Sequence, residues 1–526
     1  METCTQMQNS DMTAYLQNLI DSAEDGSTLT LPTGTVCVSS PLTVKGKKNL
    51  KISGYGTDFL HTGYDMTSRK GQPNTALFIL EDCQNVTLAG FSLDYQGFAN
   101  IAGTVTETNA GEEPYFVMRL FPEFTSITGK EYYAAALSFD PDGAPNYHLA
   151  GNADFRVEKL ADDLLKVYYP NSHQVARLSV GELMNIRFCL NGAPAISNRS
   201  SDGTLFEDIT VYQAISCSFY IGMRSGSVTF EGLKIIFKEG TKRLMTSNVD
   251  AIHIKGMTGK LTLHNCIFDG LGDDAVNVHS RAGILTEADF ATGTVRQVDG
   301  WSKQPTDSTW AFPGDTVEFY DPKTFLAKGT ATVRTYTDGT LLLDKIPEGA
   351  TEGDILANLA YLPSVHIDGC TVTRNRARAF LMQTRNVIIE NCTLNRISLP
   401  AIIVAPDIQR WFEVGPARNV IIRNNKIEKC AFFDDGANLG AIVVKASHDH
   451  GYASYPAGVH RDIVIENNEI DETAHSAIFV SATEGLTVRG NRIGRFGTAN
   501  TLPTDGEAIN TVNCTETVIE NNTSLK

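Results

Sequence analysis

Three aspartates of the sequence lie at spacings that could bring their carboxylates together. Asp250 stands just before the phrase Ala-Ile-His-Ile, and Asp274 stands just before the similar phrase Ala-Val-Asn-Val, with Asp273 beside it. If the two phrases are strands in successive coils of a repeat, the Cα atoms of Asp250 and Asp274 are about 4.8 Å apart, the spacing of neighbouring strands. Like charges this close cannot all ionise freely, so at least one carboxyl group is expected to keep its proton to a higher pH.

A protonated carboxyl group beside a charged one is the arrangement that cleavage of a glycosidic bond requires. An inverting glycosidase also needs its acid and its base roughly 6.5–9.5 Å apart, and Asp273, angled away from the other two, could provide that separation. Two other interpretations are a set of turn residues and a calcium site. Catalysis is favoured because Asp250 and Asp274 stand in neighbouring coils without a cation between them. Residues that only stabilise a stack usually avoid placing like charges opposite each other.

The strands that must position these residues belong to a recurring phrase: an apolar–x–apolar step, a polar turn, and another apolar residue. It reads Asn386-Val-Ile-Ile-Glu-Asn-Cys-Thr-Leu in one copy and Asp462-Ile-Val-Ile-Glu-Asn-Asn-Glu-Ile in another. Each copy is too short to bury itself, so successive copies must stack. Because the spacing between copies varies, the sequence predicts an all-β right-handed parallel β-helix rather than a leucine-rich or propeller repeat.

Two columns of the repeat carry further predictions. One turn position should hold stacked asparagines and small buried thiols rather than disulfides. Its members are Cys266, Cys370, Cys392, Asn425, Asn468, Asn491 and Asn522. The residues before each Ala of the second phrase are Asp250, Asp274, Arg378, Pro400, Gly440, Ser476 and Glu507. Arg378 is therefore expected one rung beyond the aspartates, where it could keep one of them ionised or hold a substrate hydroxyl.

Two stretches lack the phrase and alternate like antiparallel strands, with Asp338-Gly339 as a hairpin turn signal. We interpret both as small antiparallel, barrel-like domains inserted into the β-helix. Helical spacing after Asp11 predicts a short N-terminal helix that covers the first coil. The predicted division is 1–100 for this cap and the first coils, 101–197 for the first insertion, 198–283 for the central coils with the aspartates, 284–362 for the second insertion and 363–526 for the C-terminal coils.

Residues that alternate with the inward-facing ones on these strands are predicted to form one exposed surface around the carboxylates. The members of this predicted substrate-binding surface are His253, Lys255, Asn277, His279 and Gln383. Each of them alone is more often a solvated residue of a β-sheet face. A short loop carries Trp411 and Glu413. Trp411 could stack on a sugar ring or be a buried anchor of its loop, and the two interpretations carry equal weight.

The net charge of −17, from 44 Lys and Arg against 61 Asp and Glu, argues against nucleic acid or an anionic membrane as a partner. A neutral ligand fits better. No apolar run is long enough to span a bilayer, and no C-x-x-C pair points to zinc. No segment near Met1 has the apolar core of a signal peptide. The chain is interpreted either as cytoplasmic or as a mature form whose leader has been removed.

With these residues the chain resembles glycoside hydrolase family 110, the β-helix α-1,3-galactosidases. Four segments carry the resemblance: Thr241-Lys-Arg-Leu-Met-Thr-Ser-Asn-Val-Asp-Ala-Ile-His, Gly272-Asp-Asp-Ala-Val-Asn-Val-His, Asn375-Arg-Ala-Arg-Ala and Trp411-Phe-Glu-Val-Gly. It covers the whole solenoid, and the two irregular stretches look like that family's two added barrel-like domains. The chain is more distantly similar to polygalacturonases. Their Gly-His-Gly and Arg-x-Lys elements are not apparent in this sequence, which argues against galacturonan as the substrate.

The resemblance implies a bacterial, secreted or periplasmic, exo-acting enzyme without metal or cofactor. It would remove terminal α-1,3-linked galactose, as in blood group B or linear α-galactosyl glycans, with inversion. Asp273 would be the general acid, and Asp250 with Asp274 would activate the water. The matching motifs add Arg376, Arg378, Trp411 and Glu413 to the substrate-binding residues. A carbohydrate is the expected partner, and a homodimer stays open. The alternatives are a polysaccharide lyase or epimerase, another α-glycan hydrolase, and a non-catalytic glycan-binding β-helix.

Overall fold

The computed structural model describes residues 10–67, 75–152, 155–188, 192–306, 309–433, 439–447, 450–498 and 506–525. The chain forms a right-handed parallel β-helix in which two long parallel sheets run along the solenoid. This confirms the fold class that the repeat predicted. Within the described residues, no helix is both long and apolar enough to cross a bilayer.

The larger sheet holds the two strands of the recurring phrase in each coil. Its strands are Thr28–Thr30, Gly34–Val38, Lys51–His61, Thr87–Tyr95, Thr204–Glu207, Thr210–Val211, Val228–Glu231, Lys234–Ile235, Lys260–His264, Ile267–Asp269, Ser364–Asp368, Thr371–Asn375, Val387–Glu390, Thr393–Ile397, Arg418–Arg423, Lys426–Cys430, His460–Glu466, Glu469–Asp471, Thr483–Arg489, Arg492–Ile493, Thr515–Glu520 and Thr523–Ser524. The phrase is therefore a bent pair of strands in one sheet.

The second parallel sheet carries the candidate site. Its strands are Leu42–Lys45, Phe78–Glu81, Ile196–Arg199, Phe219–Gly222, Ile252–Lys255, Val276–Arg281, Phe380–Met382, Ile402–Val404, Gly440–Val444, Ser476–Ser481 and Ile509–Val512, with the short antiparallel strand Glu413–Val414 added beside Val276–Arg281. Ile252, Val276, Phe380 and Ile402 stand in register on successive coils. All four are fully buried, so one face of this sheet fills the core and the other is left for polar residues.

Stacked asparagines line the predicted turn position. Asn425 donates its side-chain amide to Asn468 at 3.0 Å, Asn468 donates to Asn491 at 3.0 Å, and Asn491 donates to Asn522 at 2.9 Å. In the earlier coils the same position holds buried cysteines, none of which is in a disulfide among the described residues. Both predictions for this column are confirmed.

The N-terminal helix spans Thr13–Ser22 and buries Leu16 and Ile20 against the first coil. Gln17 joins it to the strand at Thr43 through two hydrogen bonds, of 2.9 and 2.8 Å. The short helices elsewhere are Pro122–Phe124, Ser172–Val175, Leu359–Tyr361 and His450–Ser454. The predicted capping helix is therefore present.

Two antiparallel sheets occupy the stretches that lack the repeat phrase. The first has seven strands, Asn100–Asn109, Tyr115–Leu120, Ala135–Phe139, Pro145–Asn152, Arg156–Ala161, Leu164–Tyr168 and Leu183–Arg187. The second is a closed barrel of Gly283–Asp289, Thr294–Asp299, Thr316–Tyr320, Ala327–Thr337, Thr340–Leu343 and Ile355–Asn358. Asp338 and Gly339 make its hairpin with positive φ angles of 40° and 78°. The exact division of the chain into five parts stays a prediction.

Candidate active site

Asp250 and Asp274 lie at equivalent positions of two neighbouring coils. The strands that follow them pair in parallel, and the backbone N–H of Ala251 donates to the carbonyl oxygen of Asp274 at 2.9 Å. The Asp250 carboxylate accepts the backbone N–H of Asp274 at 3.1 Å. One carboxylate oxygen from each of Asp250, Asp273 and Asp274 lies within 4.8 Å of the other two. The structure therefore brings the three predicted aspartates together.

Two arginines of the next coil neutralise the adjacent pair Asp273 and Asp274. Arg378 donates its backbone N–H and its Nη2 to the two carboxylate oxygens of Asp274, both at 3.0 Å. The Nη1 atom of Arg376 lies 3.5 Å from Oδ1 of Asp273 and donates to the carbonyl of Gly272 at 2.9 Å. The two guanidinium groups thus reduce the repulsion among the carboxylates. Arg378 lies one coil beyond the aspartates, where the repeat predicted it.

The three aspartates differ in their access to solvent. Asp250 and Asp274 are buried, at 3 % and 1 % exposure, whereas the side chain of Asp273 is 37 % exposed. Asp273 is consequently the member of the cluster that a ligand can touch directly. The two buried carboxylates are held in place by hydrogen bonds from the backbone.

Burial raises the pKa of Asp274 well above its usual range. The guanidinium of Arg378 opposes this rise, and the charges of Asp273 and Asp250 add to it. The cluster therefore keeps a proton at a pH at which a solvated aspartate would have lost it. Because the groups interact strongly, that proton belongs to the cluster as a whole.

The carboxylates lie closer together than the sequence analysis expected. Asp273 has an oxygen within 4.8 Å of both partners, whereas an inverting acid and base are roughly 6.5–9.5 Å apart. The prediction that Asp273 stands apart from Asp250 and Asp274 is therefore wrong for the side-chain positions in the structure. Arg376 and Arg378 contact Asp273 and Asp274 and reduce the repulsion within the cluster, so the three carboxylates can lie close together.

A series of polar contacts leads from Asp250 across the outer face of the sheet. The Nδ1 atom of His253 lies 2.6 Å from Oδ2 of Asp250, and its Nε2 atom lies 3.1 Å from Nε2 of His279. The Nδ1 atom of His279 lies 3.5 Å from Oε1 of Glu413. Gln383 donates to the other oxygen of Glu413 at 3.2 Å. Four predicted substrate-binding residues thus form one connected row behind Asp250.

The prediction of an exposed surface is wrong for three of its five residues. Asn277, His279 and Gln383 face outward, yet their exposures are 7 %, 2 % and 0 %. The strand Glu413–Val414 pairs with residues 280–281, and its Glu413 side chain contacts both His279 and Gln383. These side chains therefore support the site from behind rather than lie open to solvent.

The two histidines have opposite protonation tendencies. Burial lowers the pKa of His253, but the hydrogen bond and charge of Asp250, together with the charge of Glu413, outweigh it and leave the pKa raised. Burial lowers the pKa of His279 well below its usual range, and the charges of His253 and Lys255 lower it further. Burial raises the pKa of Glu413. Of the two histidines, His253 is thus the one that binds a proton more readily.

Trp411 and Lys255 lie at the edges of this row. Trp411 is 51 % exposed, and the guanidinium of Arg410 lies 5.3 Å from the centre of its ring. The interpretation of Trp411 as a buried loop anchor is therefore wrong, and its ring is open to a ligand. Lys255 is partly exposed and lines a cavity of about 310 Å³ on the side of the barrel.

Two residues of the first antiparallel sheet contact the backbone of residues that adjoin the aspartates, although no motif pointed to them. Arg187 is buried and donates to the carbonyl oxygen of Asn248 at 2.8 Å, and burial lowers its pKa to about 9. Tyr147 donates its hydroxyl to the carbonyl oxygen of Arg376, and its ring stacks on Phe433 with 3.9 Å between ring centres. Their only sequence signal is their position in a stretch that interrupts the repeat.

The aspartate cluster has the oxygen donors of a cation site, but its surroundings do not favour one. Carboxylate oxygens are the ligands that Ca²⁺ prefers. Here, however, guanidinium groups already contact Asp273 and Asp274, and a cation would have to displace or repel them. The residues present therefore fit proton transfer better than metal binding.

Comparison with known proteins gives relatives over most of the chain. "Alpha-1,3-galactosidase B" of Bacteroides thetaiotaomicron is 25 % identical over 90 % of this chain and 78 % of its own length. "Alpha-1,3-galactosidase A" of the same species is 24 % identical over 90 % of this chain and 82 % of its own. "Alpha-1,3-galactosidase A" of Bacteroides fragilis is 30 % identical over 56 % of this chain, which spans about half (49 %) of that protein.

No protein-family model matches the chain. Among solved structures, the family 28 exopolygalacturonase of Yersinia enterocolitica aligns over 98 % of this chain and 76 % of its own, at 12 % identity and a TM-score of 0.42. A likeness at that level supports no functional inference.

The fold, the carboxylate cluster and these relatives define the protein as a parallel β-helix glycoside hydrolase. The chain is thus similar over most of its length to proteins named alpha-1,3-galactosidase, in line with the resemblance to glycoside hydrolase family 110.

Proposed function

We propose that the protein is an exo-acting hydrolase that removes terminal α-1,3-linked galactose from glycans. The observation that carries the proposal is the meeting of Asp250, Asp273 and Asp274 within 4.8 Å in a chain related to alpha-1,3-galactosidases. One accessible carboxyl group stands beside two buried ones. This arrangement offers a proton donor and a proton acceptor at one place.

Asp273 is placed to act as the general acid because it is the exposed member of the cluster. It gives its proton to the glycosidic oxygen as the bond from that oxygen to the anomeric carbon breaks. A water attacks the anomeric carbon from the other side and loses its proton to the Asp250 and Asp274 pair. Arg378 holds Asp274 in position, and His253 holds Asp250. The products are free galactose and the shortened glycan.

We infer that the anomeric configuration is inverted, as in the family that the motifs resemble. Inversion requires room for a water between the acid and the base. Among the described residues, the half-exposed side chain of Asp273 is held by a single ion pair, at 3.5 Å to Arg376, so it can rotate away from Asp250 and Asp274 when the sugar enters. The buried pair stays in place.

The substrates that we propose are neutral glycans ending in α-1,3-linked galactose, either branched as in blood group B or linear. The net charge of −17 is compatible with neutral glycans and unfavourable for polyanionic ones. A secreted or periplasmic location in a bacterium would give the enzyme access to such glycans. No metal or cofactor enters the mechanism.

The test is incubation of the purified protein with an aryl α-galactoside, a linear α-1,3-galactosyl disaccharide and a B-type oligosaccharide. The released sugar is followed by proton NMR from the first minute. The expected result is galactose that appears first as the β anomer, at a rate that a chelator does not change. Early α anomer would overturn inversion.

Two outcomes would replace the proposal. Activity that needs a divalent cation and produces ultraviolet absorbance from an unsaturated sugar would identify a lyase. Sugar binding without any released galactose would identify a glycan-binding β-helix. An Asp273→Asn variant is the matched control, since it removes the proton donor with little change of size.

A further inference from the structure

Three arginines occupy equivalent positions of three successive C-terminal coils. Arg385, Arg418 and Arg461 each stand directly before a copy of the recurring phrase. Arg418 and Arg461 pair in register on neighbouring strands, and the pairing of Val387 with Val420 places Arg385 in the same column. Like charges directly opposite one another destabilise a sheet, so this arginine column needs negative charge close to it.

Among the described residues, only the outer two of these arginines have an acidic partner. Arg385 contacts Glu318 of the closed barrel, and Arg461 lies 3.1 Å from Glu484 of the next coil. Arg418, in the middle, donates its Nη1 to backbone carbonyl oxygens and makes no ion pair within the described ranges. Burial, together with the charges of Arg385 and Arg461, lowers the pKa of Arg418 below its usual value. A bound anion would stabilise the charged form of this guanidinium.

A cavity of about 340 Å³ lies beside the arginine column, between the closed barrel and the C-terminal coils. Its volume is within the usual range of small-molecule sites, about 300–1,000 Å³. The residues that line it are Glu318, Leu326, Ala327, Arg418, Gly458 and Arg461. Ala327 and Arg461 are both exposed, so a ligand can reach the cavity from solvent, whereas Arg418 is half-buried in its wall.

The charges around this cavity suit an oxyanion. Three guanidinium groups stand against the two carboxylates of Glu318 and Glu484, which leaves one positive charge in excess among these five groups. The carboxylate of Glu318 is engaged, because Arg385 and Tyr320 both donate to it. A guanidinium group presents a fork of N–H donors that matches the oxygens of a phosphate or sulfate group. Since neighbouring strands are about 4.8 Å apart, one such group can contact two arginines of the column.

We propose that this cavity binds a tetrahedral oxyanion, a sulfate or phosphate group, either as the free ion or as an ester on a sugar. The anion lies between Arg418 and Arg461 and supplies the negative charge that the middle of the arginine column lacks. It also joins the closed barrel to the C-terminal coils, because residues of both line the cavity. The site is separate from the aspartate cluster and does not depend on the proposed hydrolysis.

The experiment measures binding to the purified protein by isothermal titration calorimetry at constant ionic strength. The probes are inorganic sulfate, inorganic phosphate and glucose 6-phosphate, with chloride and uncharged glucose as control ligands. Arg418→Gln removes the middle charge but keeps an amide that can donate to the backbone, and Arg461→Gln removes the neighbouring charge. Arg492→Gln is the matched control, since Arg492 lies in the same sheet, pairs with Glu469 at 3.0 Å and does not line the cavity.

The parent protein should bind at least one of the three anions at a single site. Both cavity variants should weaken that binding by about tenfold or more, because each removes charge-assisted hydrogen bonds, whereas Arg492→Gln should bind like the parent protein. Tighter binding of glucose 6-phosphate than of inorganic phosphate would identify the sugar ester as the ligand, and the reverse order would identify the free ion.

Three results would overturn the site: no binding of any of the anions, equal weakening in Arg492→Gln, or binding of chloride or glucose as tight as that of the oxyanions. Should Arg418→Gln fail to fold, Arg461→Gln decides, because the side chain of Arg461 is 49 % exposed and its loss leaves the backbone contacts of Arg418 in place. Galactoside hydrolysis is not the readout, so failure of the proposed function would leave this test unchanged.

Discussion

The Nδ1 atom of His253 lies 2.6 Å from the Oδ2 atom of Asp250, and both residues belong to the same coil. The other carboxylate oxygen of Asp250 accepts the backbone N–H of Asp274. Asp250 is thus held from two directions, by a histidine with a raised pKa and by the next rung of the sheet. An acidic side chain fixed in this way keeps its orientation when a water molecule binds to it.

We expect His253→Ala to lower kcat for an aryl α-galactoside by about 100-fold, because a catalytic carboxylate that loses its orientation loses most of its effect. His253→Gln, which keeps a donor, should recover part of the loss. The pH profile of kcat, measured for each variant, checks whether the limb that follows the raised pKa of His253 disappears with its side chain.

His366→Ala is the matched control for this prediction. His366 contacts Glu390 at 2.9 Å on another part of the solenoid and has similar exposure, 31 % against 22 % for the side chain of His253. It should leave kcat unchanged. An equal loss in both histidine variants would show that the effect comes from stability and not from Asp250.

A second prediction separates Asp273 from the two buried aspartates. If Asp273 protonates the leaving group, Asp273→Asn should lower kcat by roughly 100- to 10,000-fold for a disaccharide. The loss should be much smaller for a dinitrophenyl galactoside, whose leaving group needs no proton. Asp250→Asn and Asp274→Asn should affect both substrates alike, because both need an activated water. The same substrate dependence for all three variants would contradict the assignment of the acid.

The aspartate cluster and the strands that present it followed from the period of the repeat. Asp250 and Asp274 both precede an alanine and an inward-facing apolar residue, so register alone placed them on adjacent rungs. Arg378 was predicted in the same column, although 104 residues separate it from Asp274. Stacking converts a long sequence separation into one strand spacing, which explains why this part could be predicted.

The segments outside the repeat that contact the site could not be predicted in the same way. Glu413 reaches His279 because its loop adds an antiparallel strand outside the repeat, and no period describes such a strand. Tyr147 and Arg187 arrive from the first antiparallel sheet, whose placement depends on tertiary packing rather than on local pattern. The period of the sequence therefore predicts which residues lie within the coils, but not which segments pack against the coils from outside.

A third prediction concerns stability at acidic pH. Burial, together with the charge of Arg418, lowers the pKa of His460 from 6.5 to about 4. Between these two values the unfolded chain binds a proton that the folded chain does not, so the free energy of unfolding falls as the pH decreases from about 6.5 to about 4. This single histidine should remove about 3 kcal/mol over that range. His61, also buried with a pKa lowered to about 4, should act in the same direction.

Urea unfolding at several pH values tests the third prediction. His460→Gln keeps an acceptor for the backbone N–H of Ala417, which His460 now accepts at 3.1 Å. The variant should lose less stability between pH 7 and pH 4 than the parent protein. A pH dependence identical to that of the parent would mean that His460 does not take up a proton on unfolding.

The last prediction concerns the asparagine ladder, which joins the C-terminal coils along the axis. The Oδ1 atom of Asn468 accepts both the backbone N–H and the side-chain amide of Asn425, each at 3.0 Å, and its own amide donates to Asn491. Asn468→Ala would leave donors of Asn425 buried without an acceptor. We expect a loss of about 3 kcal/mol in the free energy of unfolding. Asn522→Ala, at the half-buried end of the ladder, removes the acceptor for Asn491 where water can replace it, so it should cost about 1 kcal/mol. Both values come from urea unfolding, and equal losses at the two positions would show that burial does not control the strength of the ladder.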